Sequence, residues 1–187
     1  MKKLFVLALM LLAGRLLMAQ IPDVRVENHL SKYEQLTRQT GVQCKITDYL
    51  MNTQIFHDME ISVRSVEMEG APSYFYRIYR KETKEQPVIE VLVAYDDFVE
   101  INSVLESMIE EEHKDRNARK DYCETFYRTD DGFQIGYNIK NRQTIWYFVQ
   151  GRCTENKIIF ESGTKMKDHF KKVLAKFDEV MKKNGNK

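Results

Sequence analysis

The sequence is poor in the residues that build metal, covalent and nucleotide sites. Its 187 residues include three cysteines, four histidines, eight glycines and three prolines. It contains no C-x-x-C, H-x-x-x-H or G-x-S-x-G motif and no glycine-rich phosphate loop. These absences argue against the common zinc, thiol redox, serine hydrolase and nucleotide-binding signatures. We therefore expect no metal, no cofactor and no catalytic residue that a motif would reveal.

The charges are balanced. Lys and Arg total 29 and Asp and Glu total 28. Three of the basic residues (Lys2, Lys3 and Arg15) lie within residues 1–19, so residues 20–187 hold 26 basic against 28 acidic side chains. A near-neutral chain has no overall field to gather nucleic acid or anionic lipid. We predict no nucleic-acid partner.

The first nineteen residues are typical of a bacterial secretory signal. Lys2 and Lys3 precede an apolar run over residues 4–14, and Ala19 offers a small residue for cleavage. The run is shorter than the roughly twenty residues that a spanning helix needs. We predict a cleaved signal peptide over residues 1–19. Because Arg15 interrupts the pattern, an uncleaved N-terminal anchor is the alternative.

Residues 20–187 are then expected to form one exported domain, periplasmic or extracellular, with no membrane span in the mature chain. Their three cysteines, Cys44, Cys123 and Cys153, allow at most one disulfide within the chain. The strand register expected below separates Cys123 from Cys153 by about 27 Å, so that pair is not expected to bond. Pairing of Cys44 with either of the others stays open.

The first half of the domain predicts a short helix and four strands. Ser31 and Glu34 match a capping box, which predicts a helix over about residues 32–40. Strand-like runs follow over residues 42–50, 56–68, 74–81 and 88–95. In the second run the apolar phase shifts between Val63 and Val66. That shift predicts a β-bulge near Arg64 or Ser65.

At Asp97 the apolar period becomes helical. Asp97 is expected to cap a helix, because a carboxylate accepts hydrogen bonds from the free N–H groups of the first turn. Residues 110–115 are expected to be its solvated end. The predicted apolar stripe of this helix comprises Phe98, Ile101, Val104, Leu105, Met108 and Ile109.

The second half repeats this order. Strand-like runs cover residues 122–128, 133–139, 144–150 and 157–161, and a helix begins near Thr164. Its apolar stripe comprises Met166, Phe170, Val173, Leu174, Phe177, Val180 and Met181. We predict an α+β fold of two antiparallel four-stranded sheets, each followed by a helix, with a short N-terminal helix. The pseudo-repeats would span residues 42–120 and 121–183.

Two turns determine the expected pairing of the second sheet. A four-residue turn over 129–132 would place Phe126 opposite Ile135, and a two-residue turn over 141–142 would place Tyr137 opposite Trp146. Opposed residues share a face. The bulky side chains then collect on one face, expected beneath a helix: Tyr122, Phe126, Ile135, Tyr137, Ile139, Trp146 and Phe148.

The opposite, mixed face supplies the candidate ligand site. Tyr127 and Tyr147 would stack on a planar ligand or sugar, while Gln134 and Asn138 would offer amide hydrogen bonds. The simpler interpretation is that this face packs against the other sheet or a partner subunit, because it also holds aliphatic side chains that prefer cover.

The two units of four strands and a helix, residues 42–120 and 121–183, resemble the arrangement of Whirly-type proteins. Those proteins bind single-stranded nucleic acid on sheet surfaces. The resemblance is one of topology and involves no shared motif, so it implies the fold and not the function. The charge balance and the predicted export argue against nucleic acid.

These observations favour a non-enzymatic binding or accessory protein of the bacterial cell envelope. It would contact a protein or glycan through a sheet face or edge. The alternative is an envelope hydrolase whose catalytic residues converge only in three dimensions. A homodimer whose mixed faces bury each other is a further hypothesis.

Overall fold

The computed structural model describes residues 30–52, 58–82, 84, 88–118, 120–150 and 157–185. The predicted signal peptide and Cys153 lie outside these residues. The helices are α1 (Lys32–Thr37), α2 (Tyr95–Asn117) and α3 (Gly163–Gly185). The strands are β1 (Cys44–Leu50), β2 (Glu60–Met68), β3 (Ala71–Arg80), β4 (Ile89–Ala94), β5 (Tyr122–Arg128), β6 (Phe133–Lys140), β7 (Gln143–Gln150) and β8 (Ile158–Phe160).

The strands form two sheets in sequence order, β1-β2-β3-β4 and β5-β6-β7-β8. Every neighbouring pair is antiparallel. The prediction of an α+β fold with two antiparallel four-stranded sheets is confirmed. In the chain, α2 follows β4 and α3 follows β8.

One hydrophobic core joins both sheets and both long helices. Tyr76 of β3 and Phe148 of β7 lie with ring centroids 6.5 Å apart, so the inner sides of the two sheets meet directly. The predicted helix stripes are confirmed, since each helix buries its apolar side here. Their fully buried members include Phe98, Ile101 and Leu105 of α2, and Met166, Phe170, Val173 and Phe177 of α3.

A polar pair lies inside this core. The Tyr76 hydroxyl and Nε2 of His169 are 2.7 Å apart, and both side chains are fully buried. Burial, and then the charge of Lys172, lowers the pKa of His169 to about 4. The imidazole is therefore neutral at physiological pH, which suits a core position.

The predicted β-bulge in β2 is wrong. Residues 60–68 pair without interruption with β3, and residues 62–68 do so with β1. The apolar phase changes because β2 is covered on both sides. Val63 faces the main core, whereas Val66 and Met68 contact a second cluster on the opposite side, beneath α1.

The predicted cap of α2 is also wrong. The helix begins at Tyr95 after Ala94, and no side chain caps it. Asp97 lies in the first turn, where its Oδ1 accepts a hydrogen bond from Nζ of Lys32 at 2.7 Å. The shorter helix α1 does begin with the predicted capping box at Ser31, but it ends at Thr37.

The other end of α2 is less solvated than predicted. Glu112 and Asp115 are buried at its edge, with 6% and 9% exposure. Glu112 accepts a hydrogen bond from Thr144 at 2.7 Å, and Asp115 accepts one from Tyr137 at 2.9 Å. These carboxylates attach α2 to the second sheet.

Candidate functional site

The loop between β5 and β6 decides which side chains face outward on the second sheet. The N–H of Thr129 donates to the Phe133 carbonyl at 2.8 Å, and the N–H of Gly132 donates to the Thr129 carbonyl at 2.9 Å. Residues 130–132 therefore form a three-residue loop. Gly132 has φ of +85°, the left-handed conformation that such a loop requires. The predicted four-residue turn is wrong.

This difference of one residue turns β5 over. Phe126 pairs with Gly136 rather than with Ile135. Phe126 and Tyr122 are 51% and 56% exposed, so their predicted place on the covered face is wrong. The inner side of β5 instead carries the half-buried Cys123, Thr125 and Tyr127.

The loop between β6 and β7 has the predicted two residues. Asn141 and Arg142 have φ of +53° and +63°, as a type I′ hairpin turn requires. Tyr137 pairs with Trp146, which confirms the expected register of these strands. Trp146 and Phe148 are buried on the inner side.

The structure brings three of the four predicted ligand-binding residues together. Gln134, Asn138 and Tyr147 lie on the outer side of the second sheet. Tyr127 lies on the inner side, where its hydroxyl donates to Glu100 of α2. The shared face predicted for Tyr127 is wrong because it depended on the longer turn.

Tyr147 occupies the centre of this outer side. A Cβ atom on Gly136 would lie 2.7 Å from the Tyr147 hydroxyl and 2.7 Å from the carbonyl of Thr125. Only glycine therefore lets the Tyr147 side chain cross β6. The Tyr147 hydroxyl donates to Oε1 of Glu124 at 2.7 Å and accepts from Nε2 of Gln134 at 2.9 Å.

This network fixes the charge of Glu124. The hydrogen bond from Tyr147 lowers the pKa of Glu124, whereas burial raises the pKa of Tyr147. The carboxylate is thus ionised and the phenol neutral. Nζ of Lys157 lies 4.0 Å from the centre of the Tyr147 ring, which is fully buried. The ring is a structural element of the face and does not present a surface for stacking.

Exposed apolar side chains surround this network. The described part of the chain has eight exposed large hydrophobic residues, and half of them lie on the outer side of the second sheet. They are Tyr122, Phe126, Ile145 and Ile159. We call this surface the open face. An apolar cluster on one sheet face is a mark of an interaction site.

Most of the outer side of the first sheet, the closed face, is covered within the chain, whereas Ile46 and Leu50 on its edge strand β1 stay 47% and 62% exposed. Tyr33 of α1 lies edge-to-face on Phe75 of β3, with ring centroids 5.2 Å apart. Leu36 and Val42 also pack against this side of the sheet. The strand residues they cover are Val66, Met68, Phe75, Leu92 and Ala94.

Ion pairs cover the middle of the closed face. Arg64 and Arg77 are only 9% and 7% exposed. Arg64 binds both carboxylate oxygens of Asp48, at 2.7 and 2.9 Å. Arg77 donates to Glu90 at 2.8 Å and to Glu60 at 2.5 Å. The hydrogen bond from Arg64 lowers the pKa of Asp48. These hydrogen bonds pair both arginines with carboxylates of the same face.

The remaining thiol and acid groups offer little for catalysis. The Cys123 thiol donates to Oδ2 of Asp115 at 3.3 Å, and burial raises its pKa, which disfavours the nucleophilic thiolate. Cys44 and Cys123, the two cysteines in the described residues, are not bonded to each other. Within the same residues, no group of three or more His, Cys, Asp or Glu is arranged to hold a metal ion.

Two clefts formed by described residues lie away from the open face. A cleft of about 370 Å³ lies between Gly41–Lys45 and the turn at Glu69 and Gly70. Another, of about 230 Å³, lies between α2 and the start of α3, beside Glu112 and Trp146. Neither includes a predicted site residue.

Comparison of the chain with family models, with curated proteins and with solved structures finds no match. Across the ranges that the structure describes, no helix has the length and apolar character needed to cross a membrane.

Proposed function

We propose that the protein is a non-enzymatic accessory module of the bacterial cell envelope, which binds a partner protein through its open face. The observation that carries this proposal is the clustering of Tyr122, Phe126, Ile145 and Ile159 on one sheet surface. Burying such side chains against a partner is favourable by about 25 cal/mol per Å² of apolar area.

The register of β5 strengthens the proposal. A turn longer by one residue would bury Phe126 and Tyr122 and expose the less apolar set on the other side of β5. The chain instead turns both aromatic residues outward. Places where the folded chain departs from the best local burial are often functional sites.

A protein fits the open face better than a glycan does. Tyr122 and Phe126 would suit either partner, but Ile145 and Ile159 have no polar group for a sugar hydroxyl and no flat ring for stacking. We expect no nucleic-acid binding here, because Nζ of Lys157 lies 3.7 Å from Oε1 of Glu124, so the acid offsets the basic charge on this face.

The proposal also includes export and an internal repeat. The proposed signal peptide over residues 1–19 would deliver residues 20–187 to the periplasm or the exterior as one domain. We further propose that residues 42–120 and 121–183 are pseudo-repeats with the arrangement that Whirly-type proteins have. On that view the helix α1 closed one outer sheet surface while the equivalent surface of the second unit stayed available.

Site-specific photo-cross-linking tests the proposal. A photoreactive amino acid replaces Phe126 in the full-length chain, expressed in a bacterial host whose envelope is then irradiated. The matched control carries it at Val99, which is 41% exposed on α2. We expect discrete adducts from position 126 that are absent from position 99 and lost when Ile159 is changed to Lys. The same adducts from both positions, or none at 126 together with turnover in a hydrolase panel, would overturn the proposal.

A further inference from the structure

The residues of the open face form a regular grid. Across the strands, the middle row is Phe126, Gly136, Tyr147 and Ile159. The row on one side of it is Glu124, Asn138 and Ile145. The row on the other side is Arg128, Gln134 and Val149.

The two outer rows are chemically complementary. On β5 the acid Glu124 and the base Arg128 lie two residues to either side of Phe126. On β6 the two equivalent positions are amides, and on β7 they are the aliphatic residues Ile145 and Val149. The acid Glu124 thus matches the base Arg128, while Gln134 and Val149 are only 7% and 3% exposed and take little part in a surface contact.

A two-fold axis along the middle row would bring the complementary outer rows of two copies into contact. It would lay the same strands of two copies over each other in opposite directions. Glu124 of one copy would then face Arg128 of the other, and Phe126 would face its own counterpart. Closed, self-complementary contacts of this kind are the commonest route to homodimers.

We infer that the partner of the open face is a second copy of this chain, docked face to face about this two-fold axis. The inference rests on the proposed function, because both need the open face to be a protein-binding surface. Four strands spaced about 4.8 Å apart and three rows of side chains spaced about 6.8 Å apart cover about 390 Å² per copy, or about 780 Å² in total. That is below the roughly 1,200–2,000 Å² of stable complexes, so the dimer is reversible.

Substitutions at position 126 test the proposed dimer most sharply, because the two-fold axis places residue 126 of one copy opposite residue 126 of the other. The experiment is analytical ultracentrifugation of the mature chain from micromolar to millimolar concentration. We expect concentration-dependent dimers of the unmodified protein. Phe126→Lys or Phe126→Glu alone should weaken association at least about tenfold, because like charges would meet at the axis. An equimolar mixture of the two variants should form a heterodimer.

The controls test whether weaker association comes from the position of the new charge, from the charge itself or from loss of folding. Val99→Lys and Val99→Glu make the same changes on α2 and should leave association unchanged. Arg128→Glu should weaken association, because it would face Glu124 of the other copy. The urea midpoint of each variant checks that it folds, since the exposed side chain at 126 has little part in the core.

Three outcomes would overturn the inference. These are a chain that stays monomeric throughout, a dimer insensitive to both charges at 126, and a mixture that fails to associate. If such a monomer still gives specific adducts from position 126 to another protein, the proposed function stands and only the identity of the partner is wrong. If the adduct joins position 126 to another part of the same chain, both are wrong.

Discussion

The outer sides of the two sheets differ in how they are completed. On the closed face, Tyr33 packs on Phe75, and the guanidinium of Arg64 is enclosed by Asp48 and its neighbours. On the open face, Phe126 remains half exposed beside a polar network of the strands themselves. The sheets share strand number, pairing and a common core, so the difference lies in what covers them.

The difference between the two faces indicates where function lies in a chain without catalytic motifs. A surface whose apolar groups are covered by the chain's own helix contributes to stability. An equivalent surface whose apolar groups are left exposed contributes little to stability and is available for binding. Paired substitutions on the two faces should separate these roles.

The largest expected difference comes from truncating one phenylalanine on each face. Phe75→Ala on the closed face should lower the free energy of unfolding by about 4 kcal/mol, because the ring is buried beneath α1. Phe126→Ala on the open face should cost about 1 kcal/mol or less, since its ring is already half solvated. Urea denaturation of both variants measures this. Equal losses would contradict the contrast between the faces.

Acid sensitivity should come from the shared core rather than from either face. The folded pKa of His169 is about 4 and its usual value is 6.5, so the unfolded state binds more protons between these pH values. The free energy of unfolding should therefore fall by about 3 kcal/mol as the pH drops from 6.5 to 4. Asp48, whose pKa is lowered, loses its contribution only as the pH falls below its usual value of 3.8.

Urea denaturation at several pH values, with an NMR titration of the imidazole, checks this assignment. A profile that is flat above pH 4, or a His169 resonance that titrates near 6.5, would show that the core does not control acid unfolding.

Replacing one arginine on each face should give a smaller difference in the free energy of unfolding. Arg64→Met should cost about 2 kcal/mol, because it leaves Asp48 without its two hydrogen bonds at a site with little water. That figure is reduced because Asp48 is 28% exposed. Arg128→Met should cost about 0.5 kcal/mol, since this side chain bonds only the amide of Gln134 and lies over the Phe126 ring. Similar thermal midpoints for both variants would contradict the account.

A difference of similar size is expected for the glycine beneath Tyr147. Gly136→Ala should cost about 1.5 kcal/mol, because its Cβ would lie 2.7 Å from both the Tyr147 hydroxyl and a backbone carbonyl. Gly185→Ala is the control, since no atom lies within 4 Å of a Cβ there. Chemical denaturation of the two variants should differ by this amount, and a neutral Gly136→Ala would show that Tyr147 does not cross β6 as described.

Much of the fold could be predicted from local patterns. The helix stripes and the hairpin at Asn141 and Arg142 follow from spacing and turn length alone. The face of β5 could not be predicted, because Tyr122 and Phe126 alternate with Cys123 and two further residues that can also be buried. Hydrogen bonds from the inner set to Asp115 and Glu100, which belong to the preceding helix α2 and not to a strand, accompany the observed register.

The candidate site was therefore only partly predictable. The sequence places Gln134, Asn138 and Tyr147 on one shared face because the length of the β6–β7 turn is predictable. The exposure of the aromatic residues of β5 is not predictable in the same way, because the predicted β5–β6 turn is one residue longer than the observed loop. The covering of the closed face is not predictable either, since its acids and bases are spread over residues 48–90 without a motif.

Hydroxyl-radical footprinting of the purified protein tests the central claim most directly, because it compares two chemically identical side chains in one experiment. Phe75 is 3% exposed on the closed face and Phe126 is 51% exposed on the open face. In dilute protein, we predict that Phe126 is oxidised many times faster than Phe75, and that it becomes protected as the protein concentration rises. Equal, slow oxidation of both rings in dilute protein would show that the chain covers both faces itself and would contradict the account.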